Sequence, residues 1–227
     1  MKNEEPKNQL PMDETKDSFD RRYEIPKDRL ESFTDGVVAI VLTVLVLNIK
    51  IPDKPTWSSV YSIRHILIAY VVSFIFVAII WVNHHRLFQL IDTISYRVIW
   101  ADLFWLFWLT LCPAVTAWIG DNPKDLVPNL LYVLIYTMWS WSFGVLVKEV
   151  IHSSNPQSKT VWILKRDKRS QISMFLNILI LLGVFIYPSI GLVGRFFVSF
   201  IWIFSYRRSN EIQTAIFNRL KLIFKHK

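Results

Sequence analysis

The sequence predicts an all-α membrane protein with six transmembrane helices per subunit. Three observations carry that expectation. Of 227 residues, 52% are apolar and 15% aromatic, only 19% are charged, and the mean hydropathy is +0.32. The apolar residues gather in uncharged runs at 36–49, 66–83, 103–120, 126–147 and 171–194. The basic residues fall between the runs, mostly on one side once the runs are treated as spans. This composition excludes a disordered tail protein and a collagen. A single cysteine, Cys112, excludes a disulfide scaffold and a cysteine-built zinc site.

Residues 1–28 mix both charge signs with Asn, Gln and Pro and carry no apolar region of a cleaved signal, which predicts a largely disordered cytoplasmic tail. The six-span domain is placed at 29–206. Its first run is short, but Asp35 and Lys50 bound it, where a helix cap and a snorkelling amine are tolerated. The next three runs approach the ~20 residues that cross a hydrocarbon core of about 30 Å. All are apolar nearly all round, whereas a soluble core helix of that length shows a polar face. The stretch 171–206, interrupted only by Pro188 and Arg195, is too long for one span. A break near Tyr187-Pro188-Ser189 divides it into two, with Arg195 in the first turns of the sixth.

Residues 207–227 form a basic amphipathic segment, with Ile212, Ala215, Ile216, Leu220 and Ile223 on one stripe, expected to lie on an anionic inner leaflet. Trp57, Trp81, Trp118 and Trp162 fall near span ends, at headgroup level. With six spans and both termini inside, all of the 26 Lys and Arg except Lys50, Lys54, Arg64, Lys124 and Arg195 are cytoplasmic, as the positive-inside rule requires. The formal charge of +8 is therefore a topology signal.

The first span opens Arg29-Leu-Glu-Ser-Phe33-Thr34-Asp35-Gly36-Val37-Val-Ala39-Ile40, with an acid and a glycine at the head of an apolar helix. One explanation is capping, with Ser32 or Thr34 accepting from free amides, Asp35 complementing the helix dipole and Arg29 pairing with a nearby acid. The segment also resembles the Arg-x-x-x-Phe-Ser-Asp signature of the potassium channel family of transmembrane protein 175 type, known from lysosomes and bacteria. Arg29, Phe33 and Asp35 match it, and Thr34 replaces the usual serine with a hydroxyl kept. The likeness runs on through Thr43, Leu47 and Ile49-Lys50-Ile51-Pro52 to Trp81-Val-Asn83-His84-His85-Arg86.

The resemblance implies potassium permeation through a pore lined by the first helix. Ile40, Val44, Leu47 and Ile51 share one helical face, with Gly36 on the same side, which suits a pore wall and ordinary helix packing alike. By resemblance, Ile40 forms an apolar constriction continued by Val44 and Leu47, and Thr43 tunes cation preference. A back-bond to the preceding turn is the plain alternative for Thr43. There is no Thr-Val-Gly-Tyr-Gly loop, so dewetting at apolar rings stands in place of a carbonyl filter. One signature per chain implies a homotetramer, with potassium as the permeant ion and no cofactor.

His84 and His85 point about 100° apart, which disfavours a shared metal. The resemblance assigns them to a polar network with Asp35, Arg29 or Asn83. Asp102 is either an ion site or merely interfacial, and Arg195 either an anion attractor at the outer mouth or a snorkelling residue. No hydrolase, zinc-protease, phosphate-loop or dinucleotide motif is present, and the dispersed basic residues disfavour nucleic acid. A secondary transporter, a proton-permeable channel and a non-conducting scaffold are the competing classes. A bacterial plasma membrane is the expected location.

Overall fold

The computed structural model describes residues 26–91, 94–154, 161, 162, 164 and 169–199. The predicted tail as far as residue 25 and the amphipathic segment 207–227 lie outside the described residues. The described chain is helical: α1 (Lys27–Leu47), α2 (Trp57–Ser62), α3 (Arg64–Gln89), α4 (Tyr96–Asp121), α5 (Leu126–Ser153) and α6 (Arg169–Ile186). A short apolar α7 (Ile190–Ser199) follows. Of these, α1, α3, α4 and α5 are long and apolar enough to cross a membrane. At about 1.5 Å per residue, the 26-residue α3 and α4 run roughly 39 Å, so their ends reach beyond a hydrocarbon core of about 30 Å.

The first span is longer than its uncharged run. Pro26, with φ −53°, precedes the helix without a side-chain cap, and Asp28 in the first turn complements the dipole. Ser32, Thr34 and Asp35 therefore sit inside α1, and the capping explanation fails. Charged helix formers at Lys27, Asp28, Arg29 and Glu31 extend the helix, with Asp28 and Arg29 exposed and Glu31 held against His85. Elsewhere caps are conventional. Thr56 accepts from the Ser59 amide at 3.2 Å to start the exposed α2, and Ser95 accepts from Val98 at 3.4 Å to start α4.

The core lies around α4, which packs against α1, α3 and α5, while α5 packs against α6. Aromatic rings fill it. Trp105 stacks on Trp139 at 5.7 Å, and Phe76 meets Tyr136 and Trp139 at 5.6 and 5.5 Å. The predicted break in the last apolar stretch is found where proline places it. Tyr187 closes α6 by donating to the Gly183 carbonyl at 3.0 Å, and α7 starts at Ile190 after a turn through Pro188. The resulting hairpin is tight: a Cβ at Gly194 would lie 2.7 Å from Ile180 Cγ1, so the α6–α7 approach depends on a missing side chain. Arg195 neither snorkels nor stands at an outer mouth. It is fully buried, because its rotation on α7 turns it toward α3 and α5.

Candidate functional site

α1 has two apolar faces with different fates. Leu30, Thr34, Val38, Val41 and Leu45, spaced three and four apart, are buried against the bundle. The opposite face is open: Phe33 is 53% exposed, Ile40 65%, Val44 38% and Leu47 74%, whereas Ile51, expected on the same helical face, is exposed but lies beyond the end of α1 at Leu47. Gly36 continues that open face, since a Cβ there would meet nothing within 4 Å. Thr43, also exposed, donates its hydroxyl to the Ala39 carbonyl at 2.8 Å, the back-bond that stood as its plain alternative. At the far end Lys50 approaches Asp121 at 3.9 Å, an exposed pair of small energetic weight.

The signature residues lie on the N-terminal half of α1 and tie it to α3 and α4. Thr34 Oγ1 donates to Asp102 Oδ2 at 2.7 Å, and His84 Nε2 meets Asp102 Oδ1 at 2.7 Å, all three residues fully buried. His84 is held flat between Phe88 and Trp105, with centroids at 4.4 and 4.7 Å. A buried carboxylate costs far less when both oxygens accept hydrogen bonds, so each contact also fixes a helix position. Beside this triad, Trp81 Nε1 donates to Asp35 Oδ1 at 2.7 Å. One turn out, His85 Nδ1 meets Glu31 Oε1 at 2.6 Å and its Nε2 meets Gln89 at 2.9 Å.

Several expectations change here. The network exists, but its acids are Asp102 and Glu31, and Asp35 serves Trp81 instead of a histidine. Asn83 only back-bonds to the Ile79 carbonyl, and among the described residues no acid is bonded to the exposed Arg29 guanidinium. The two histidines diverge as their 100° offset requires, His84 into the bundle and His85 toward its rim. Asp102 is fully buried within the bundle. Its proximity to Arg97 concealed that Val98, Asp102, Trp105 and Leu109 form one buried helical stripe, a periodic signal present in the sequence. Trp81 is likewise a structural donor and not solely a headgroup anchor. Glu31, two residues before the signature phenylalanine, gave no signal of its own.

Comparison with known proteins gives concordant matches. Residues 29–113 match the family described as "Endosomal/lysosomal potassium channel TMEM175". A potassium channel from Chryseobacterium sp. is 35% identical over 182 residues, covering 80% of this chain and 95% of the relative. The crystal structure of a lysosomal potassium-selective channel TMEM175 homolog from Chamaesiphon minutus superposes with a TM-score of 0.70 at 25% identity, over 79% of this chain and 97% of that one. A human protein named endosomal/lysosomal proton channel TMEM175 is 25% identical over 174 residues, covering 66% of this chain and 33% of the relative.

Proposed function

The chain belongs to the TMEM175 family of potassium channels, and from that premise we propose that it conducts potassium passively through a homotetrameric pore lined by α1. The observation that carries this is the open apolar face of α1, opposite a face bonded into its own subunit. One helix cannot enclose a path, so four copies around an axis supply the wall, each presenting Ile40, Val44 and Leu47. Rings of these side chains form a constriction that passes ions only when wetted. The Thr43 hydroxyl, one residue from Val44, tunes cation preference while keeping its back-bond to Ala39. The triad on Asp102 and the Asp35–Trp81 bond support this by fixing the rotation of α1.

In this proposal α6 and α7 complete six spans, the termini are cytoplasmic, and the surrounding membrane is a plasma membrane with an anionic inner leaflet. The placement of Lys and Arg supports that orientation. The test is potassium flux and single-molecule current from the purified chain in liposomes, with imaging of the oligomer. Unitary potassium currents and a four-fold particle with Ile40 nearest the axis are expected. Saturable, coupled flux without unitary currents would replace the channel with a transporter. An α1 facing lipid would overturn the pore assignment. The human relative's name motivates a second reading, proton permeation, which predicts currents that reverse at the proton equilibrium potential.

A further inference from the structure

Among the described residues, Arg195 is the one Lys or Arg that is fully buried, and it lies in the bundle interior away from the open face of α1. Its guanidinium carbon sits 4.9 Å over the Phe76 ring and 5.1 Å over the Tyr136 ring. Nη1 donates to Asn177 Oδ1 at 3.0 Å. Arg195 Nε and Nη2, and Asn177 Nδ2, have no hydrogen-bond partner among the described residues. A guanidinium stays protonated in proteins, so its charge must be met where it lies. The fully buried carboxylate, Asp102, already accepts from Thr34 and His84. Ring faces attract the cation but satisfy none of its N–H groups.

The neighbouring polar groups add donors and no negative charge. Ser73, Thr116, Tyr132 and Tyr136 form a buried chain in which Thr116 donates to Ser73 at 2.9 Å and accepts from Tyr136 at 3.1 Å, and Ser73 and Tyr132 share a further bond of 3.1 Å. The interior between α3, α4, α5, α6 and α7 thus holds a positive charge and many N–H and O–H donors, and among the described residues no carboxylate is bonded to that charge. Water would satisfy the donors and leave the charge, whereas potassium would be repelled.

We propose that this interior binds a small monovalent anion of the chloride class at Arg195 Nε and Nη2, as the counter-charge that lets α7 pack against α3 and α5. The test is thermal unfolding of the purified full-length chain, followed by intrinsic fluorescence, in potassium chloride or bromide against potassium gluconate at equal ionic strength. The wild type should show a saturable rise in Tm of about 2–5 °C with either halide. Arg195→Met should lose that dependence. For the case in which Arg195→Met does not fold, Asn177→Asp places a carboxylate beside the guanidinium and should also abolish the halide effect while retaining stability. A wild-type Tm indifferent to the anion would overturn the proposal, as would an undiminished halide effect in either variant.

Discussion

His84 Nε2 and Asp102 Oδ1 meet at 2.7 Å in complete burial, and the same carboxylate accepts from Thr34 on the helix that carries the open face. Three helices therefore meet at one acid. Removing one member strands the other. His84→Ala leaves Asp102 short of a donor between apolar rings and should cost about 3–5 kcal/mol. Thr34→Val removes a single donor and should cost about 1–3 kcal/mol. Pairing His84→Phe with Asp102→Leu removes the polar requirement while keeping ring volume between Phe88 and Trp105, and should recover much of the loss. Thermal unfolding of these variants, with His84→Phe and Asp102→Leu also measured singly, checks this, and additive costs in the double variant would contradict a shared site.

The Trp81–Asp35 bond gives a sharper contrast. Asp35→Asn keeps a carbonyl oxygen for the indole N–H at the 2.7 Å position, whereas Trp81→Phe removes the donor and leaves the part-buried carboxylate unanswered. Trp81→Phe should cost about 1.5–3 kcal/mol, as expected for a hydrogen bond to a charged group, and Asp35→Asn less than half of that. Melting curves in one detergent compare them directly. Equal losses would mean that the charge of Asp35, not its acceptor, fixes α1.

Much of the fold was legible because apolar runs and proline act locally. The uncharged runs anticipated α1, α3, α4 and α5, and Tyr187-Pro188-Ser189 marked the turn into α7. The shared face of Ile40, Val44 and Leu47 followed from spacing, and the family signature drew attention to the residues that anchor α1. What spacing alone concealed was which partners meet. Asp102 looked interfacial when depth was judged from Arg97, although α4 begins at Tyr96 and turns the acid inward. Arg195 looked able to snorkel, but snorkelling needs a path to the headgroups, and its face of α7 is closed by Phe76 and Tyr136. The fate of Arg195 depends on rings more than 50 positions away, which no local pattern contains, whereas the inward turn of Asp102 was written in the buried stripe of α4.

The open face of α1 predicts a separation of activity from stability. Ile40 is 65% exposed within the subunit, so Ile40→Ala should change subunit stability by no more than about 0.5 kcal/mol. On the proposed constriction it widens the narrowest ring, and Ile40→Asn also wets it. Both should raise potassium flux in liposomes and weaken discrimination against sodium. Thr43→Val should leave flux intact and alter only ion preference, since the back-bond to Ala39 is expendable in a helix already bonded along its backbone. Unchanged flux and selectivity in both Ile40 variants would remove Ile40 from the constriction.

Gly194 and Gly36 make opposite predictions for the same added methyl. At Gly194 the new Cβ would stand 2.7, 2.9 and 3.2 Å from Cγ1, Cδ1 and Cγ2 of Ile180, the first two closer than real contacts allow, and Ile180 is itself buried. Gly194→Ala should therefore force α7 from α6 and cost about 1–3 kcal/mol. Ile180→Ala alone opens a void and should cost about 2–5 kcal/mol. Together the two changes relieve each other, so the double variant should lose clearly less than the sum. At Gly36 a Cβ meets nothing within 4 Å, and replacing a helical glycine with alanine is worth about 0.5–1 kcal/mol in the helix itself. Gly36→Ala should thus stabilise α1 in the subunit, and any loss of flux it causes would arise where that face meets other copies. Unfolding measurements on all four variants decide the packing claim, and a neutral Gly194→Ala would show that the α6–α7 hairpin is looser than its geometry requires.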